Sequence, residues 1–207
     1  MKSLEEQYYI LLDKPNRESF LELKGIKGAG SRHYTFKKLD YGDGPLFFEN
    51  ALKGNMPFYL SNVQMDGGIP VVSKDIAKEI ERYNIEGFQL FPSIIISDDG
   101  QWHEDFYYFN LYKKVDCVDF FKSEVLGYDP NEMLGHDVVK YHLNNDVLNN
   151  INEESRLIIK LDNVFSRSVI VHEKIVNIFM KFNIDAFVLY KLSEYRQGME
   201  FINQQSS

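Results

Sequence analysis

The sequence is nearly without cysteine. Cys117 stands alone among 207 residues, which excludes an intrachain disulfide and any multi-thiol metal site. No apolar run reaches about 18 residues, so no membrane-spanning helix is expected. The first residues, MKSLEEQYYILLDK, place acids ahead of a very short apolar run and do not read as a secretory signal. With the cysteine usage, this sets the expectation of a cytoplasmic protein that neither spans nor binds a membrane. A surplus of positive charge is missing too. The net charge is −8, and nucleic-acid binders normally show the opposite sign.

Catalytic signatures are also missing. The five histidines, His33, His103, His136, His142 and His172, form no H-E-x-x-H or H-x-E…C-x-x-C pattern. His136 and His142 lie in a polar stretch that offers no common helical face for a metal. Trp102-His103-Glu104-Asp105 sets an imidazole beside carboxylates, which acid–base chemistry can use and which a solvated strand end explains equally. There is no G-x-S-x-G elbow. Cys117, beside Val115 and Val118, reads as a small core hydrophobe. The expectation is a protein that is not an enzyme and carries neither metal nor cofactor.

What the chain has is a stretch used twice. VVSKDIAKEIERYNIEGFQLF at 71–91 and IVHEKIVNIFMKFNIDAFVLY at 170–190 align without a gap at an offset of 99 residues. They share Val72/Val171, Ile76/Ile175, Asn84/Asn183, Ile85/Ile184, Phe88/Phe187 and Leu90/Leu189. In each copy apolar residues recur at helical spacing (Ile76, Ile80, Tyr83; Ile175, Phe179, Phe182). An Asn follows that can take the left-handed conformation ending a helix. An alternating aromatic run then predicts a strand. Ser73 stands where the first helix needs its cap, and His172 is a poorer cap in the second. The same offset relates Tyr8, Tyr9, Leu12 and Lys14 to Tyr107, Tyr108, Leu111 and Lys113. Ancestral duplication and convergence both account for this. The fold expected is α+β, one domain over 1–207 with a mixed, largely antiparallel sheet in two related halves, each with one packed helix. The halves fall at about 1–92 and 93–192, with a frayed tail over 195–207. Ile76, Ile80, Phe88, Leu90, Ile175, Phe179, Phe187 and Leu189 are expected to be buried.

Around the repeats, strands are predicted at 7–12 and 57–60, and RLIIKL at 156–161 has strand grammar. Ser93–Ser97, the turn Asp98-Asp99-Gly100-Gln101 and the run from Trp102 predict a long hairpin. Residues 106–112, FYYFNLY, are too aromatic for a solvated edge. Residues 126–155 suit a short helix plus irregular loop. The only basic stretch, 24–38, holds Lys24, Lys27, Arg32, Lys37 and Lys38 around Gly25, Gly28 and Gly30. It matches no phosphate-binding fingerprint and reads as a surface loop, with an anion- or nucleotide-binding site as the alternative.

Several blocks together resemble one family of immunity proteins from bacterial polymorphic-toxin systems, whose founding member is myxobacterial. They are P-V-V-S-K-D-I-A-K-E-I at 70–80, N-I-E-G-F-Q-L-F-P at 84–92 and Y-Y-F-N-L-Y-K-K-V-D-C-V-D at 107–119. Ser123-Glu124, then L-D-N-V-F-S…V-I-V-H-E-K-I-V at 161–176 and N-I-D-A-F at 183–187, continue the likeness, which runs from about 57 to 191. His172 and Ala186 depart from the family's serine and glycine. The resemblance implies a non-enzymatic inhibitor that binds a cognate toxin made by the same cell. A general interaction scaffold is the remaining alternative.

Charge suggests where such a partner would sit. Residues 96–154 carry thirteen acids against four lysines, so the rest of the chain is nearly neutral. This suits a basic partner, a nuclease for example, although acidity also serves solubility alone. The hairpin tip combines Asp98, Asp99, Glu104 and Asp105 with Trp102, the only tryptophan. Tryptophan is a frequent interface anchor, although this one could equally face the sheet core. The loop carrying Asp129, Glu132, Asp137 and Asp146 is the second candidate.

Overall fold

The computed structural model describes residues 3–14, 21–32, 37–54, 58–132, 135–165, 169–182, 184 and 186–202. The chain begins with β1 (Tyr8–Asp13), β2 (Leu23–Ile26), β3 (Leu46–Asn50), β4 (Val63–Asp66) and β5 (Ile69–Ser73). Helix α1 (Lys74–Ile80) leads into the hairpin β6 (Phe88–Ile96) and β7 (Trp102–Leu111). Short elements follow: β8 (Lys114–Val115), β9 (Glu124–Leu126), β10 (Asp137–Lys140) and α2 (Asn145–Asn149). Then come β11 (Ile158–Leu161), β12 (Val169–His172), α3 (Glu173–Met180), β13 (Phe187–Lys191) and α4 (Met199–Ile202).

The strands form a six-stranded sheet in the order β2-β3-β6-β7-β5-β4, a five-stranded sheet β13-β1-β12-β11-β8, and the pair β10-β9. Among the described strand pairs β3/β6 and β11/β8 are parallel and the rest antiparallel, so the α+β class with mixed, largely antiparallel sheets holds. The aromatic run expected to be covered on both faces is β7, enclosed between β6 and β5, with Tyr108, Phe109, Asn110 and Leu111 all buried. Strand β6 continues through Pro92. The parallel partner β3 starts only at Ser93, so the missing N–H of Pro92 leaves no gap in that ladder.

Each sheet contains the same split unit. In the first, β5 and β6 flank β7 and are joined through α1. In the second, β12 and β13 flank β1 and are joined through α3. The register fixes the correspondence. Ser73 faces Phe106 as His172 faces Tyr8, and Pro92 faces Tyr107 as Lys191 faces Tyr9. Tyr8 is therefore the counterpart of Phe106, one residue away from the Tyr107 that the offset of 99 assigned. A slip of one residue moves every side chain to the opposite face, and burial agrees with the structural register: Tyr8 and Phe106 are buried, Tyr9 and Tyr107 half-buried. Nor do the units divide contiguously at residue 92. Strand β7 completes the first sheet, and β1 lies in the second.

Helices α1 and α3 pack on each other between the sheets. Phe179 of α3 stacks 6.3 Å from Phe109 of β7 and meets Phe187 of β13 edge-on at 5.0 Å. On the helix side of the five-stranded sheet lie Leu11, Val169 and Val171; on the other side Tyr8, Ile10 and Ile170 join Cys117, Leu143, Leu148 and Leu192 in a second core. Burial pushes the Cys117 thiol up to about 12, so it is an inert core residue. Of the eight residues expected in the core, Phe88 and Leu189 are only half-buried.

Local expectations divide. The caps are reversed: His172 Nδ1 accepts from the Lys174 N–H at 3.2 Å, whereas the Ser73 hydroxyl caps nothing. Asn84 is not left-handed; Gly87, at φ 72°, reverses the chain after α1. Asn183 lies outside the described residues. Residues 58–60 form no strand, and β4 starts at Val63. The 126–155 stretch contains β10 as well as the helix α2. At the C-terminus, Tyr195 is buried and Arg196 holds Glu124 with two contacts, one of 2.7 Å. Helix α4 lies within the tail expected to fray, and residues 203–207 lie outside the described residues.

Candidate functional site

The β6–β7 hairpin ends in a turn closed by Gly100 N–H to Ser97 O (2.8 Å) and Ser97 N–H to Gln101 O (2.9 Å). Asp99 belongs to this turn. Its carboxylate accepts from the Ser97 hydroxyl and from Gln101 N–H, and these bonds hold it below the usual carboxylate range. Asp105 sits at a bulge with φ 64°, where Glu104 and Asp105 together oppose Ile94, and it accepts from Lys74 at 2.8 Å. That bond raises the Lys74 ammonium pKa. Asp98 accepts a long bond from Asn50 at 3.4 Å, and Glu104 is exposed with no ion pair among the described residues. The four acids are therefore not one patch: Asp99 and Asp105 hold the hairpin, Asp98 reaches Asn50 and Glu104 is exposed.

Trp102 is 50% exposed, so it does not face the core. Register places Trp102, Ile96, Ile94, Phe47 and Ile26 on one face of the six-stranded sheet, beyond the part that α1 and α3 cover. Ile26, Phe47, Ile94 and Ile96 are each only half-buried. Phe47 meets the indole edge-on at 5.6 Å, and Lys27 Nζ lies 4.4 Å above the indole and 4.2 Å above Phe47. The result is an apolar surface with a cation on it and carboxylates at its rim.

The second acidic region is not a single cluster either. Asp129 accepts from Asn131 N–H and its side-chain amide at 2.9 and 3.1 Å. Asp137 accepts from the Gln197 amide at 2.9 Å. Asp146 lies in the first turn of α2, which Asn144 caps. Glu132 lines a groove of about 420 Å³ together with Asp116, Asp119 and the rings of Phe120, Phe121, Tyr128 and His136. Sequence reasoning missed these rings. The signal was available: Phe120-Phe121 is an aromatic pair in a polar stretch with neither helical nor strand period, where no core position explains it.

A model of the immunity protein family (Imm11) matches residues 1–169. The chain belongs to the Imm11 immunity protein family. A comparison with curated proteins gives no match. In this Imm11 protein the matched span includes the whole six-stranded sheet, the hairpin tip and the aromatic groove, and ends at the first residue of β12. It starts earlier than the resemblance noted in the sequence and stops before α3, so block 183–187 lies beyond it.

The basic stretch of the Imm11 chain does not assemble an anion site among its described residues. Lys24 pairs with Glu49 at 3.1 Å, Lys27 lies over Phe47 and Trp102, and Arg32 donates to the carbonyls of Gly44 and Pro45 at 3.0 and 3.1 Å. These three cations point to different neighbours, and Lys37 and Lys38 are exposed. His33 lies outside the described residues. His103 stacks on Phe58 at 5.5 Å. Among the described residues no group of three His, Cys, Asp or Glu converges as a metal would need, and no helix is long and apolar enough to cross a membrane.

Proposed function

We propose that this Imm11 protein neutralises a cognate toxin by binding it, without chemistry of its own, in the cytoplasm of the cell that makes both. The carrying observation is Trp102, half-exposed on the uncovered part of a sheet whose other aromatics are mostly packed away. A large rigid ring on a firm hairpin supplies apolar contact at low entropy cost, as interface anchors do. The toxin is a basic protein, with a nuclease the favoured kind, because the acidic middle of the chain complements a cationic surface and speeds encounter.

The test uses the product of a large toxin reading frame next to this gene. The wild-type protein should bind it and protect cells that express it inside. Trp102→Ala should weaken binding about tenfold or more with little change in melting temperature. Glu104→Gln with Asp98→Asn should slow association, most at low salt. A toxin that acts only on the cell wall or in the periplasm refutes the cytoplasmic part. Unchanged affinity in Trp102→Ala removes this face from the interface.

A further inference from the structure

We propose that the groove between Phe120, Phe121, Tyr128 and His136 receives an arginine side chain presented by a partner protein. Under the reading above, that partner is the toxin. Phe121 is 92% exposed, the most exposed large apolar side chain among the described residues. It stands edge-on to Tyr128 at 6.3 Å, and Tyr128 in turn lies 5.9 Å from Phe120 in a stacked arrangement. Such a ring in water forgoes the stabilisation that burial would bring.

His136 supplies the polar feature. It is only 8% exposed, with Phe120 at 4.7 Å and Tyr128 at 4.8 Å, and it lines the groove. Its ring nitrogens make no hydrogen bond among the described residues. The imidazole lines the groove, so a donor entering the groove can reach a ring nitrogen. Its backbone is held on both sides, by His136 N–H to Asn163 O (2.8 Å) and Phe165 N–H to His136 O (3.0 Å). The preceding Gly135, at φ 106°, has room for no Cβ because Val164 C would lie 2.8 Å away. The imidazole is thus presented by a fixed segment.

Charge decides what fills the space. Asp116 at the rim has no ion pair among the described residues, and Asp119 pairs only with the exposed Lys122, at 2.8 Å. A phosphate or carboxylate would be repelled. A guanidinium fits each feature at once: it is planar and stacks on aromatic faces, and its five donors reach an imidazole nitrogen and a carboxylate together. Lysine offers a point charge without the stacking.

The test is an NMR titration of the full chain with N-acetyl-glycyl-arginyl-glycinamide, following His136 and Tyr128. The citrulline tripeptide, equal in shape but uncharged, and tetramethylammonium serve as comparisons. Arginine should give saturable shifts, with citrulline about tenfold weaker or more, and Asp116→Asn and Tyr128→Leu should each reduce the response. Equal shifts from arginine and citrulline, or none from either, overturn the proposal. Tighter binding of tetramethylammonium than of the arginine peptide also overturns it, in favour of a small quaternary ammonium ligand. A second arm uses the neighbouring toxin. If wild type binds it and Phe121→Ala binds equally well, the groove is not the receptor, while the toxin-binding reading stands. If wild type does not bind it, that reading fails and the peptide titration alone decides the groove. Phe121 is too exposed for its loss to unfold the protein.

Discussion

Strand β7 follows β6 through a tight hairpin, whereas β1 reaches its place between β12 and β13 from the other end of the chain. Yet the two units present the same pairings, and their helices meet in one core. The difference is in closure. The first unit can form from one continuous stretch, 69–111. The second needs the N-terminal strand to find a site built by residues 158–191, a far more distant contact. The second unit holds β1 with polar bonds to residues far along the chain. Tyr8 donates to Arg156 O at 3.0 Å and accepts from the Arg156 guanidinium at 2.6 Å, while burial pushes its hydroxyl up to about 12. Glu5 accepts from the Leu143 N–H at 2.8 Å.

The largest effect that would sharpen this comparison lies at the paired helix positions Ile80 and Phe179, both almost fully buried. Phe179 touches a ring in each sheet, so Phe179→Ala should cost about 3–5 kcal/mol. Ile80→Ala should cost less, near the lower end of the 2–5 kcal/mol range for aliphatic truncations. Urea unfolding of both variants measures this. A larger loss at Ile80 would mean that the sheets are joined through α1 rather than α3.

A second contrast lies in the turns after the helices. Gly87 takes φ 72°, and a Cβ there would lie 2.3 Å from Lys113 Cβ. Its counterpart Ala186 is buried in an ordinary backbone conformation. Gly87→Ala should therefore cost about 2 kcal/mol from the backbone alone, with the clash in addition. Ala186→Gly should cost about 1 kcal/mol, from greater freedom of the unfolded chain and one lost methyl contact. If Gly87→Ala melts like wild type, the two turns are equivalent after all.

Which of these features could be read in the sequence follows from their range. The helices, their apolar faces and the hairpin are local patterns of period 3.6 or 2, and Ile76, Ile175, Asp98 and Gly100 carry them openly. The pairing of β1 is not local. Tyr8 and Tyr9 match Tyr107 and Tyr108 as letters, but the hydrogen-bond ladder sets Tyr8 against Phe106, and aromatic identity cannot distinguish two registers one residue apart. The hairpin tip was legible as a place and not as a mechanism. Acid residues read alike, whereas the structure assigns Asp99 to a turn and Asp105 to a lysine, and leaves Glu104 exposed and without an ion pair among the described residues. The aromatic groove is assembled from residues 116 to 163, so no single stretch displays it.

The smallest effects concern the two caps, where residue preference and geometry disagree. Serine is the better cap by preference, yet the buried Ser73 oxygen has no hydrogen-bond partner. Ser73→Ala should thus be neutral within a few tenths of a kcal/mol or slightly stabilising, because it removes an unsatisfied polar atom. His172→Ala should cost about 1 kcal/mol for the lost bond to Lys174 N–H, and more through its edge contact with Tyr8 at 5.3 Å. The bond needs Nδ1 unprotonated, and Nε2, 3.3 Å from Gln7 Oε1, is placed to carry the proton. Burial is the main cause holding the His172 pKa below its ordinary 6.5, against the opposing pull of Glu153 and Glu173. The unfolded chain therefore takes up this proton first as the solution is acidified. The contribution of His172 is complete above pH 6.5 and is lost as pH falls through the depressed folded value. Unfolding free energies measured from pH 7.5 downward should fall faster for wild type than for His172→Ala, with Ser73→Ala parallel to wild type. Parallel curves for wild type and His172→Ala would show that the imidazole is not held neutral, and the asymmetry of the caps would then be one of packing alone.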